Sequence, residues 1–104
     1  MSYGDVTPAD MKEASRDFLT FVLKFYAKYE DIRRESSGLY FVSQSYGGKY
    51  GAQFISDIMK YNKRLSQPKN RIPLKATILG NPYPSPMVQR LAMNLVPYAL
   101  SFID

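Results

Sequence analysis

Ser43-Gln44-Ser45-Tyr46-Gly47-Gly48 is the stretch of this sequence whose residue types and spacing could do chemistry. It follows Leu39-Tyr40-Phe41-Val42, a run without polar alternation, as expected of a strand buried on both faces of a parallel sheet. Ser43 and Gly47 lie two residues before and two after Ser45. That is the spacing of a nucleophile elbow, where strand and helix approach too closely for larger side chains. Such a bend would lift the Ser45 hydroxyl off the strand end and leave the Tyr46 backbone N–H at the first turn of the next helix. A hydroxyl so placed can attack a carbonyl carbon, and the neighbouring amide, helped by the helix dipole, can hold the resulting oxyanion. The general pattern is Gly-x-Ser-x-Gly, and Ser43 stands where its first glycine would. The same residues also suit a glycine-rich strand-to-helix turn without chemistry.

The elements that must position Ser45 follow from periodicity. Thr7-Pro8-Ala9-Asp10 reads as a helix start, with Thr7 as cap, Pro8 at the first position and Asp10 as the acidic member of a capping box. Met11, Ala14, Phe18, Phe21, Val22, Phe25 and Tyr29 recur at helical spacing to about Asp31. Lys12, Glu13, Arg16, Asp17, Lys24 and Lys28 lie opposite, as in a helix laid on a sheet. Residues 1–6 read as a lead-in containing Gly4. Asp31 to Gly38, with Ser36-Ser37-Gly38, reads as a solvated loop. After the bend, Gly48 to about Tyr61 is expected to be a helix burying Ala52, Ile55, Ile58 and Met59. Its glycines each cost about 1 kcal/mol of helix propensity in an interior position; close backbone approach near the serine is the reason to tolerate them. Asn62 to Arg71 is a polar connector, and Leu74 to Leu79 a second strand ended by Gly80-Asn81-Pro82. Strand, helix and strand make one right-handed parallel crossover. Tyr83-Pro84-Ser85-Pro86 is a rigid turn. Met87 to Leu95 reads as an apolar helix interrupted before Pro97, with Tyr98 to Ile103 continuing it or forming a short second piece.

With 104 residues, 45% hydrophobic and 14% aromatic, the chain suits one globular domain at most, residues 1–104. It has no cysteine, which excludes a disulfide framework, and no pattern that assigns a metal ligand or a cofactor. The net charge of +5 comes from 14 Lys and Arg against 9 Asp and Glu spread along the chain. The densest group, Lys60, Lys63, Arg64, Lys69 and Arg71, has no interleaved aromatic platform. It reads as a solvated basic loop and not as a nucleic-acid site. No basic region followed by an apolar core opens the chain, and no apolar run is long enough to span a membrane. The expectation is therefore a product without secretory signal or membrane span.

Phe41-Val42-Ser43-Gln44-Ser45-Tyr46-Gly47-Gly48-Lys49 resembles the active-serine segment of the serine carboxypeptidase family, whose pattern is Gly-Glu-Ser-Tyr-Ala/Gly-Gly. The serine in place of the first glycine, with Lys49 after the paired glycines, is similar to the retinoid-inducible branch. Ser2-Tyr3-Gly4 resembles the end of the family's Gly-x-Gly-Phe-Ser-Tyr segment. Leu74-Lys75-Ala76-Thr77-Ile78-Leu79-Gly80-Asn81 resembles its Leu-Lys-Gly-x-x-x-Gly-Asn strand, with Pro86 where the following turn usually carries a proline.

The resemblance implies an α/β fold, a partial α/β-hydrolase of helix, strand, elbow, helix, strand and helix with a short parallel sheet. It implies Ser45 as nucleophile, Tyr46 as backbone oxyanion donor, peptide C-termini as substrate, and a secreted, vacuolar or lysosomal setting. The family's glutamate before the serine helps hold the substrate's terminal carboxylate; here the residue is Gln44, which can donate a hydrogen bond without needing a proton. The chain contains no histidine. The resemblance places the triad's aspartate and histidine after Asp104 and the second oxyanion donor before Met1, so these residues alone are expected to be an inactive internal piece. The alternatives are a non-catalytic carboxypeptidase-like protein that folds or acts through a partner, and an unrelated basic binding module. Two strands alone would leave open apolar edges, and self-association through them is expected.

Overall fold

A computed structural model describes residues 7–35 and 37–103; the expectations for residues 1–6, including Ser2-Tyr3-Gly4, and for Ser36 lie outside them. Helix α1, Met11–Lys28, is capped by Asp10 and not by Thr7. The Asp10 carboxylate accepts from the Glu13 N–H at 2.8 Å, and Glu13 Oε2 accepts from the Ala9 N–H at 2.7 Å. Asp10 and Glu13 are themselves an acid pair at capping-box spacing, and the true box starts three residues after the expected one. Helix α2, Glu30–Glu35, occupies much of the expected loop. Its first turn holds Glu30 and Asp31 and its last turn Arg33 and Arg34, so the charge run is ordered along the helix dipole.

Strand β1, Leu39–Gln44, and strand β2, Leu74–Gly80, form a two-stranded parallel sheet in which Val42 faces Ile78 and Gln44 faces Gly80. Helix α3, Gly47–Arg64, is the crossover between them. Burial alternates along β1: Leu39, Phe41 and Ser43 turn inward, whereas Tyr40 is 52% and Val42 67% exposed. Among the described residues, then, only one face of the apolar run is covered, against the expected two.

The buried stripe of α3 is Gly47, Gly48, Gly51 and Ile58, not the expected Ala52-Ile55-Ile58-Met59 face. Ile58 is fully buried, Ile55 is half-buried, and Ala52 and Met59 are exposed. Contact distance decides the phase: a Cβ on Gly51 would come within 2.7 Å of Phe41 Cε1, so the helix lies on β1 along its side without side chains.

The core consists of Val22, Tyr26, Ile58 and Ile72. Next to it Phe18 stacks on Phe54 at 4.6 Å between centroids and meets Phe41 edge-on at 5.8 Å. The α1–α3 seam also carries a polar fastening. Ser15, fully buried, donates its hydroxyl to Asp57 Oδ2 at 2.7 Å; Gln53 Nε2 donates to the same oxygen at 2.9 Å, and Lys60 Nζ reaches Oδ1 at 3.1 Å. These bonds, Ser15's foremost, hold the Asp57 carboxyl down to about 2.

The connector after α3 is tied down rather than free in solvent. Asn62 donates to Ile72 O and accepts from Ile72 N–H, both at 2.8 Å, and Arg33 Nη2 donates to Lys69 O at 2.6 Å and Arg71 O at 3.2 Å. Helices α4, Pro86–Ala92, and α5, Leu95–Ala99, end the fold. The interruption before Pro97 falls at Met93 and Asn94, two residues inside the expected Met87 to Leu95 helix. Pro97 lies in the first turn of α5, where its missing N–H would have no helical partner. Among the described residues no helix is long and apolar enough to cross a membrane.

Candidate active site

Between the last residue of β1 and the first of α3 stand Ser45 and Tyr46. The chain turns there through a left-handed backbone conformation, φ 56° at Ser45, which a residue with a Cβ adopts at a cost of about 1–3 kcal/mol. The cost is met by packing and hydrogen bonds on every side of the turn. The Ser45 N–H donates to Gly80 O at 3.1 Å, extending the ladder to the end of β2. The Ser45 carbonyl accepts from the Gly48 N–H at 2.9 Å and the Tyr83 N–H at 2.8 Å. A Cβ on Gly47 would lie 2.9 Å from Ser43 Cβ, and one on Gly48 2.5 Å from Pro82 Cβ. Both positions therefore require glycine for closeness of approach. Ser43 replaces the first glycine of the general pattern without disturbing the bend, because its hydroxyl turns inward and donates to Gly47 O at 3.0 Å.

The three expected site residues are contiguous at the carboxyl end of a parallel strand, where open α/β sheets bind ligands. Ser45 is exposed. Tyr46 is the helical N-cap, with φ −61° and ψ −19° and no side-chain cap. The Lys49 and Tyr50 N–H groups donate to Tyr46 O at 2.9 and 3.4 Å and the Gly48 N–H to Ser45 O, so the Tyr46 amide lies ahead of the helical bonding pattern, at the positive end of α3. The Lys49 ammonium sits 5.5 Å over the Tyr46 ring, adding charge of the same sign at that end. Gln44 is exposed on the bare sheet face shared with Tyr40 and Val42, its Cγ beside Gly80.

The arrangement offers an exposed serine and, one residue on, a backbone N–H at the head of a helix, but no histidine, the chain having none. Among the described residues no cluster of His, Cys, Asp or Glu could hold a metal ion. Sequence reasoning missed the loop Gly80-Asn81-Pro82-Tyr83 as a wall of the bend. Its residues read as a strand end, Gly80-Asn81-Pro82, and the start of a rigid turn at Tyr83, with nothing to pack against; the sharp turn at Asn81, φ 41°, brings them onto the bend.

A family model described as serine carboxypeptidase matches residues 2–104. The pheromone-processing carboxypeptidase KEX1 of Candida albicans is 32% identical over 92 residues, 88% of this chain and 13% of that protein. The KEX1 of Debaryomyces hansenii is 30% identical over 100 residues, 95% of this chain and 14% of that one. The chain thus spans about one-seventh of the length of these relatives. The crystal structure of Kex1(delta)p, a prohormone-processing carboxypeptidase from Saccharomyces cerevisiae, superposes with a TM-score of 0.80 at 22% identity, over 91% of this chain and 19% of that one. That likeness establishes the fold, an α/β-hydrolase type. Nothing in these likenesses singles out the retinoid-inducible branch. From a family model matched over residues 2–104 and relatives 30–32% identical over most of its length, the chain belongs to the serine carboxypeptidase family.

Proposed function

We propose that Ser45 is the nucleophile of a serine-type carboxypeptidase that releases C-terminal amino acids from peptides. The observation that supports it is the exposed Ser45 hydroxyl in a left-handed bend between β1 and α3. Ser45 Oγ attacks the carbonyl carbon of the last peptide bond, and its proton passes to a base. The carbonyl oxygen, now an oxyanion, is held by the Tyr46 N–H. Collapse expels the terminal amino acid, which takes the proton, and water then hydrolyses the ester on Ser45. Gln44 holds the substrate's terminal carboxylate by donating from its amide. The base and its aspartate come from outside these 104 residues, which contain no histidine, and the residues by themselves do not turn over peptides. They make up one domain, incomplete in its sheet, whose open edges self-associate. A non-catalytic carboxypeptidase-like protein that acts through a partner is the second reading, favoured by Gln44, which stands where the family pattern has glutamate.

A fluorophosphonate probe separates the two. The isolated chain should not be labelled. A chimera in which these residues replace the matching segment of the S. cerevisiae carboxypeptidase should be labelled on Ser45 and lose labelling in Ser45→Ala. A folded chimera that stays unlabelled would favour the non-catalytic reading, and one that hydrolyses peptides with alanine at position 45 would remove Ser45 from the chemistry.

A further inference from the structure

Two consecutive hydrogen-bonded peptide groups connect the bend to helix α4. The Ser45–Tyr46 peptide presents its carbonyl to the Tyr83 N–H at 2.8 Å and the Gly48 N–H at 2.9 Å. Because the peptide is planar and trans, its other end, the Tyr46 N–H, points the opposite way. The direction of that amide is therefore set by what grips the Ser45 carbonyl. One of the two grips is local to α3. The other belongs to the Pro82–Tyr83 peptide, whose own carbonyl accepts from Gln89 Nε2 at 3.0 Å. Gln89 is fixed in turn on α4, where its Oε1 accepts from the Ser85 N–H at 3.1 Å and its backbone N–H donates to Ser85 O at 2.9 Å. The side chain is thus held at both ends, and the Pro82–Tyr83 peptide is held at both ends too. Pro82 cannot slide toward α3, since it already lies against Gly48 where even a Cβ would collide.

We infer that Gln89 is a positioning residue for the oxyanion donor. Through the Pro82–Tyr83 peptide it keeps the Ser45 carbonyl turned inward and the Tyr46 N–H turned out toward the space above Ser45. Loss of the Gln89 donor frees the Pro82–Tyr83 peptide to rotate, weakens the Tyr83 bond, and lets the Ser45–Tyr46 plane rock about the remaining Gly48 bond. A rocking donor is out of place for the oxyanion part of the time, which lowers turnover and leaves substrate binding alone. This role rests on the reading of Tyr46 as oxyanion donor; the geometry it requires can be measured without any activity.

Gln89→Glu keeps the acceptor for the Ser85 N–H and deletes the donor to Pro82 O, while Gln89→Lys keeps a donor and deletes the acceptor. In the isotope-labelled chain, Gln89→Glu should shrink the residual dipolar coupling of the Tyr46 N–H and speed amide exchange at Tyr83 about tenfold. Gln89→Lys should keep both near wild type, and the couplings of Val22 and Ile58 should stay constant in all variants. In the chimera described above, Gln89→Glu should lower kcat about tenfold at unchanged KM. Unchanged Tyr46 and Tyr83 signals in Gln89→Glu, equal losses in the lysine variant, or equal movement at Val22 and Ile58 would overturn the role of Gln89. If these signals change as expected but the chimera keeps its activity in Ser45→Ala, the reading of Ser45 as nucleophile fails and the linkage between α4 and the bend stands.

Discussion

At Ser45 the backbone conformation that exposes the hydroxyl is one that glycine would adopt more easily, φ 56°. On the role proposed for Ser45, activity and stability pull apart at a single residue. Ser45→Gly should raise stability by about 1 kcal/mol, read as a higher urea midpoint at unchanged slope, and abolish fluorophosphonate labelling of the chimera. The neighbouring Gln44 sets a second expectation. An amide donates to a carboxylate at any pH, whereas a carboxyl does so only when protonated. With Gln44 the KM of the chimera for peptide substrates should stay level as pH rises from acid to neutral. In Gln44→Glu it should climb once the new carboxyl loses its proton. Identical pH profiles for the two would remove Gln44 from carboxylate recognition.

Among the elements, α1 and α3 hold the bend in place from behind, and their seam depends on a buried hydroxyl and a half-buried carboxylate. Asp57 is held down to about 2 by bonds from Ser15, Gln53 and Lys60. A carboxylate depressed in the folded state stabilises the fold above its unfolded value, near 4, and loses that contribution as pH falls through about 2. Wild type should therefore lose stability between about pH 4 and pH 2, and Asp57→Asn should lose much less over that window while being weaker by about 1–2 kcal/mol at neutral pH. A Ser15→Ala and Asp57→Asn double-mutant cycle should show coupling of about 1 kcal/mol by urea unfolding. On the opposite side of α3, Gly48→Ala should cost about 1–3 kcal/mol despite alanine's better helix propensity. Its Cβ would meet the Pro82 ring and the Tyr83 backbone nitrogen, neither of which can turn aside.

For the whole molecule, the measure is how much apolar surface two helices can cover over two strands. Tyr40, Val42 and Ile78 share the bare face of the sheet, exposed by 52%, 67% and 55%, and Leu91 and Phe102 stand 85% and 77% exposed beyond it. Purified alone, the chain should sediment above monomer mass in a concentration-dependent way. Val42→Lys with Ile78→Lys should shift it toward monomer without changing its helical circular dichroism. A sharp monomer at high concentration for the unsubstituted chain would count against an incomplete sheet. The bend itself was legible in the sequence because its requirements are local. Small residues two before and two after Ser45, an apolar run ahead and glycines behind leave few other conformations, and the same glycines disclose close packing. The two strands were readable from short-range pattern in the same way. The covered face of β1 and the rotation of α3 were not, because each depends on a partner distant in sequence; the start of α1 was missed although its cap is local, because Thr7 and Asp10 offer competing caps three residues apart and the bonds of Asp10 and Glu13 decide for the second. Ala52, Ile55 and Met59 are as apolar as a core stripe, and only contact with Phe41 and Pro82 turned the glycine stripe inward instead. Likewise, Gln89 is an ordinary polar residue by pattern. Its place beside the bend arises only when α4 folds back and brings its amide within hydrogen-bond reach of the peptide that holds Ser45.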